Sequence, residues 1–121
     1  SARGAGTRTE LRNPDPTANP YLVLAVALAA GLDGIKNKLA PPEPKDSNIF
    51  LMTPKERDAA GIDSLPTTLL EAIAEFKKDP LMRETLGEHI FSRYLLGKER
   101  EWSEYNKQVH QWEIDEYLSK V

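Results

Sequence analysis

Cysteine is absent from this chain. That excludes disulfide staples and thiolate metal sites, and it accords with a reducing compartment. Histidine is scarce: His89 and His110 share no short metal-ligand spacing, so neither is assigned chemistry. His89 reads as a packed or surface residue within a helix, and His110 as a residue at a helix junction. Positive charge is not in surplus. Sixteen Lys and Arg stand against 19 Asp and Glu, a net charge of −3, which leaves no basic footprint for nucleic acid or an acidic membrane. The longest apolar run, Tyr21 to Ala30, is too short to cross a bilayer and reads as a buried helix. The opening Ser1-Ala2-Arg3-Gly4 has no apolar core of a signal peptide. Repeats and low-complexity tracts are missing too. Together these absences point to a soluble, cytoplasmic chain of 121 residues, one domain or part of one.

What the sequence does contain is a charged alternation at its front, Gly6-Thr7-Arg8-Thr9-Glu10-Leu11-Arg12. In an extended segment successive side chains point to opposite faces, so Arg8, Glu10 and Arg12 share one face and Thr7, Thr9 and Leu11 the other. Neighbours on one face lie roughly 6–7 Å apart. Two cations and one carboxylate then converge on a charged ligand or a metal–phosphate group. Alternation alone also fits a solvated edge strand whose charges pair with neighbouring strands. A single strand cannot satisfy its own backbone, so the chain is expected to be an excerpt of a larger subunit.

The rest reads as mostly α. Asn13 to Asn19 is a proline-containing corner; Asn19 is placed to cap a helix and Pro20 to open it. Tyr21 to Leu32 is apolar on every side, predicting a helix buried all round, with Gly31 and Gly34 as end signals and Lys36, Asn37 and Lys38 as its cap. Ala40 to Ser47 reads as an exposed loop, and Asn48 to Met52 as a short strand or anchored loop. Thr53-Pro54-Lys55-Glu56 predicts a brief capped helix. Thr67 or Thr68 caps another, with Leu69, Leu70, Ile73 and Phe76 on one face, ending near Asp79-Pro80. A long helix follows from Pro80 towards Val109, carrying Leu86, Ile90, Tyr94 or Leu95, Trp102, Tyr105 and Val109 at helical steps. Glu99, Arg100 and Glu101 read as a solvated face. Trp112 to Val121 forms a final amphipathic helix.

The front of the chain resembles type I glutamine synthetase. Arg8-Thr9-Glu10-Leu11-Arg12, Pro14-Asp15-Pro16, Ala18-Asn19-Pro20-Tyr21 and Ala29-Ala30-Gly31-Leu32-Asp33-Gly34-Ile35-Lys36-Asn37-Lys38 carry the likeness. It continues through Leu65-Pro66 and Leu86-Gly87-Glu88-His89 to Trp112-Glu113. The resemblance implies the C-terminal helical portion of the catalytic domain, preceded by one active-site strand over residues 1–12. It implies an ATP-dependent ligase joining glutamate and ammonia through a γ-glutamyl phosphate, with ATP and two divalent ions, Mg²⁺ or Mn²⁺, in the complete site.

By position in the motif, the resemblance makes Glu10 a carboxylate ligand of one divalent ion, Arg12 the arginine that grips the substrate glutamate, and Arg8 a catalytic arginine at the ATP phosphates. Many members carry a basic residue where this chain has Thr7, and a lysine where it has Ala5. Arg3, in the Arg3-Gly4-Ala5-Gly6 loop, is the cation that could compensate at the phosphates, or else a solvated arginine of the terminus. Other metal ligands and most ATP contacts belong to parts of the subunit outside this chain, so the fragment alone is expected to be inactive.

Two further expectations follow from the resemblance. Some bacterial members are adenylylated on a tyrosine in a stretch like Asn48-Ile49-Phe50-Leu51; Phe50 has no hydroxyl, so that control is expected to be absent, and Phe50 reads as an apolar anchor. The terminal helix, residues 110–121, is expected to reach a neighbouring subunit of a two-ring dodecamer, with Trp112 as anchor; the alternative is that it folds back on its own bundle. The alternative function is a helical assembly module of a related γ-glutamyl-amine ligase with a different amine acceptor. An unrelated α-helical adaptor is a weaker third option.

Overall fold

Local capping chemistry sets most of the helix starts. The computed structural model describes residues 4, 6–8 and 10–120; Arg3, Ala5, Thr9 and Val121 lie outside the described residues. In α1 (Pro20–Lys36) Asn19 Oδ1 accepts the amides of Tyr21 and Leu22 at 3.0 and 3.3 Å, with Pro20 in the first turn. Thr53 opens α2 (Pro54–Ala59), and Thr68 opens α3 (Leu69–Lys78), each through a reciprocal box with the glutamate three places on, Glu56 and Glu71. Asp79 then ends α3 and caps α4 (Pro80–Tyr105), accepting the Leu81 amide at 2.8 Å. The short α5 (Gln111–Tyr117) runs into a 3-10 turn, Leu118–Lys120. No strand occurs among the described residues, so the chain is mostly α, as its sequence implied.

Several expectations are corrected. Gly31 and Gly34 do not end α1, which runs on to Lys36. A helical glycine costs only about 1 kcal/mol, too little to break a run that gains packing on one face. The end comes at Asn37 and Lys38, where the Lys38 amide bonds Ile35 O at 3.2 Å and the Leu39 amide bonds Gly34 O at 2.9 Å. Lys38 occupies the left-handed position, φ 52°. Nor is α1 buried all round: Tyr21, Leu24, Leu28, Leu32 and Ile35 form an exposed stripe, while Val23, Val26 and Ala27 are half-buried.

Asn48 to Met52 is neither strand nor anchor. Ile49–Leu51 is a 3-10 turn capped by Asn48, and Phe50 projects from it 92% exposed. Leu70 also faces outward, half-exposed, so the inner face of α3 is Leu69, Ile73 and Phe76.

The long helix holds the main surprise. Within α4, Gly87 departs from helical geometry at φ 71°, ψ 157°, so two helical segments, 80–86 and 88–105, meet at a kink. The kink lets each segment serve a different partner. Leu81, Glu84 and Thr85 face Ala29, Leu32, Asp33 and Lys36 of α1, whereas Tyr94, Leu95 and Lys98 close on Leu69, Ile73 and Phe76 of α3. Phe91 stacks on Phe76 with ring centres 4.7 Å apart and planes at 12°, and the Arg83 guanidinium lies 4.3 Å from its ring centre. Arg83 also pairs with Glu88, bridging the kink. Glu99 is not simply solvated: it pairs with Lys77 of α3 at 2.5 Å, joining the two helices.

Phe91 at 1% exposure and Ile73 at 5% are the buried apolar side chains among the described residues. The chain exposes 10930 Å², against about 6,600 Å² for a compact monomer of its mass. Much of the helices' apolar surface is therefore left uncovered by this chain. Val109 lies beyond the end of α4, and it, Trp112, Tyr117 and Leu118 are all exposed.

Candidate functional site

The charged residues of the front segment do meet. Arg8 presents Nε to Glu10 Oε1 at 2.8 Å and Nη2 to the same oxygen at 2.5 Å. Arg12 presents Nε to Glu10 Oε2 at 3.0 Å and Nη2 at 2.6 Å. Each carboxylate oxygen thus takes one guanidinium edge, which is possible only because the three side chains lie on one side of the backbone. Leu11, between them in sequence, is exposed. Arg3 lies outside the described residues, as does Thr9.

Electrostatics follow the contacts. Hydrogen bonds from Arg12, and then from Arg8, hold the Glu10 carboxyl below its usual range against a slight opposing desolvation. Two guanidiniums against one carboxylate leave the cluster net cationic, suited to attract an anion. Glu10 remains partly exposed and the arginines more so. Behind the cluster the chain makes a tight turn, the Thr7 amide bonding Gly4 O at 3.0 Å.

The corner that follows was legible only as a turn. Its organising residue is Asp15: Oδ1 accepts the Thr17 amide at 2.7 Å and the Thr17 hydroxyl at 2.5 Å, while its carbonyl accepts the Ala18 amide at 3.0 Å. The Thr17 bonds, its hydroxyl first, hold the Asp15 carboxyl low, and Lys98 of α4 adds to this through space. Lys98 itself pairs with Glu101 at 2.7 Å, and that bond is the first cause of its raised pKa. The Asp-Pro-Thr sequence signals the turn; nothing in it signals Lys98. Asp15 thus closes the corner, and Asn19 caps α1 directly after it.

As a metal centre the cluster is incomplete. Among the described residues, no group of three His, Cys, Asp or Glu side chains is placed to hold an ion. Glu10 has the hard oxygen donors that Mg²⁺ or Mn²⁺ prefer, but it is a single carboxylate and both its oxygens are paired with Arg8 and Arg12. His89 is exposed on α4, and the His110 ring lies tilted at 46° to that of Tyr105 with centres 5.0 Å apart; among the described residues neither belongs to a carboxylate cluster. Among the described residues, no helix is long and apolar enough to cross a membrane.

Comparison with known proteins agrees with the resemblance read from the front motifs. Residues 1–117 match the family described as "Glutamine synthetase, catalytic domain". The chain is 54% identical over 120 residues to a glutamine synthetase of Clostridium saccharobutylicum, covering 99% of the chain and 27% of that protein. It is 56% identical over 121 residues to one from Methanosarcina mazei, covering 100% of the chain and 27% of that protein. With one from Thermus thermophilus the identity is 55% over 117 residues, 97% of the chain and 26% of the relative. The chain thus spans about 27% of the length of the curated relatives it matches.

Proposed function

The chain belongs to the glutamine synthetase catalytic-domain family, and on that premise we propose that it is the helical portion of a subunit that forms glutamine from glutamate and ammonia. The observation that supports this most is Glu10 held between Arg8 and Arg12 within the matched motif. In the complete site, ATP supplies a phosphoryl group that activates the γ-carboxylate, and divalent ions offset the charge this builds.

The residues of this chain then divide the work. Arg12 binds and orients the substrate glutamate through the two-pronged edge that now faces Glu10, a geometry matched to a carboxylate. Arg8 neutralises charge on the phosphates as the group transfers, the interaction that lowers such barriers. Glu10 serves as one oxygen ligand of a divalent ion shared with the rest of the subunit. Arg3, next to Gly4, is a second phosphate contact. Catalysis needs those other parts, so the 121-residue piece alone is inactive.

Assembly fits the same reading. Val109, Trp112, Tyr117 and Leu118 are exposed, an apolar surface suited to bury against a second subunit of a cytoplasmic two-ring dodecamer. Phe50, exposed at the tip of its turn, offers no hydroxyl for adenylylation. A hydroxamate-forming assay with glutamate, hydroxylamine, ATP and Mg²⁺ or Mn²⁺ tests the proposal in the full-length protein. Activity in wild type, with losses of 100-fold or more, roughly the order expected for a transition-state contact, in Glu10→Ala and Arg12→Ala is the expected result. A folded, ring-forming wild type without activity would refute it and direct the assay to larger amine acceptors.

A further inference from the structure

Helix α4 bends at Gly87, yet nothing is wedged into the bend: a Cβ there would meet no atom within 4 Å. Proline is confined to Pro80, at the start of the helix. Glycine backbone adopts positive and negative φ about as readily, so Gly87 permits the bend without choosing it. The choice must come from contacts that the bent helix makes and a straight one does not.

Arg83 makes two such contacts. It pairs through Nη1 with Glu88 Oε2, and its guanidinium lies 4.3 Å from the Phe91 ring centre. In a continuous α-helix, residues five apart point about 140° away from each other, and residues eight apart lie about 12 Å apart along the axis. A straight α4 would therefore turn Glu88 away from Arg83 and carry Phe91 out of its reach. Glu88 is itself steadied by Ser92, whose hydroxyl donates to Oε1 at 2.7 Å across an ordinary helical turn, leaving Oε2 for Arg83. Phe91 stacks in turn on Phe76 of α3, with ring centres 4.7 Å apart. One guanidinium from 80–86 is thus tied to 88–105 and, through Phe91, to α3.

We propose that Arg83 is a clasp that selects the bent form of α4, holding 80–86 and 88–105 at their angle while Gly87 serves as the hinge. Two forms change in population only through contacts that differ between them, and both Arg83 contacts do. The effect passes to α1, because Leu81, Glu84 and Thr85 line the cleft against it. Arg83 thereby sets how α1 sits relative to α3. The pair is open to solvent, with the Arg83 and Glu88 side chains 54% and 67% exposed, so the clasp is weak and sensitive to salt. It does not depend on the reaction proposed above.

Amide exchange in the full-length protein tests this with Arg83→Met, Glu88→Gln and the double variant. Methionine keeps the unbranched stem and a similar helix propensity but has no guanidinium. Glutamine can still accept from Ser92. Arg83→Met, which loses both contacts, should speed exchange about tenfold, and Glu88→Gln, which loses one, about threefold. Both changes should cross Gly87 and appear in 88–95 as well as 80–86. The double variant should match Arg83→Met, since that substitution has already removed the pair. Added salt should bring wild type towards Glu88→Gln and leave Glu88→Gln nearly unmoved. A change confined to 80–86 would make Arg83 a stabiliser of its own turn and overturn the clasp. Additive effects in the double variant, or unaltered exchange in Arg83→Met, would overturn it too.

Discussion

Replacing Gly87 by alanine tests whether the kink in α4 is a requirement of the fold or an incidental feature. At φ 71° and ψ 157° the residue sits where L side chains rarely go. An added Cβ would meet nothing within 4 Å, so the cost is conformational rather than steric. Holding a non-glycine residue in that region costs of order 1–3 kcal/mol. The chain could avoid this by straightening, and alanine would then gain about 1 kcal/mol of helix propensity. Straightening, however, realigns 80–86 against 88–105, so either α1 loses Leu81 or Phe76 loses Phe91. Gly97 supplies the control: it is helical and open, and Gly97→Ala should stabilise by about 0.5–1 kcal/mol. Amide exchange in the full-length protein reads both changes locally. Gly87→Ala should speed exchange across 80–95 roughly tenfold, and Gly97→Ala should slow it around its own turn. Unchanged or slower exchange in Gly87→Ala would mean that a continuous helix packs equally well, and the kink would lose its explanation.

Two other outcomes are expected. Phe91→Ala removes the fully buried side chain together with its stack on Phe76; about 3–5 kcal/mol should be lost, seen as exposure of α3 and 88–105 to exchange, with Phe91→Leu milder. Unaltered protection would contradict the packing described. Glu71 accepts from the Thr67 amide at 2.7 Å and hydroxyl at 2.9 Å, and from the Thr68 amide at 3.3 Å. Its pKa is lowered from 4.5, the Thr67 amide being the first cause. Because the folded value is depressed, the stabilisation is complete above the unfolded pKa and disappears as pH falls through the folded one. In NMR titrations the Thr67 and Thr68 amide signals should therefore move below pH 4.5, and Glu71→Gln should abolish that movement; a midpoint at or above 4.5 would count against the capping box.

The candidate site was legible because its signal has a short period. Arg8, Glu10 and Arg12 alternate with Thr9 and Leu11, and in an extended segment a period of two puts them on one face. Which edge each guanidinium offers is a matter of side-chain placement that spacing cannot convey. The extended segment itself has no ladder among the described residues, since a strand needs a neighbour to pair with.

Helix starts were determined by the sequence alone. Asn19-Pro20, Thr53 with Glu56, Thr68 with Glu71 and Asp79-Pro80 are caps whose donors and acceptors sit within four residues of one another. Tertiary structure decided the rest. Gly31 and Gly34 stay helical while Gly87 breaks, although an isolated glycine gives the same local signal in each case. The difference lies in what each segment packs against, and a preference near 1 kcal/mol yields readily to packing. The pairing of Lys77 with Glu99 and the field of Lys98 on Asp15 join residues distant in sequence. So does the division of α1 into a half-buried face and an exposed stripe. Short-range hydrogen bonds are written in neighbouring residues; burial depends on which distant surfaces meet, and only the folded chain specifies that.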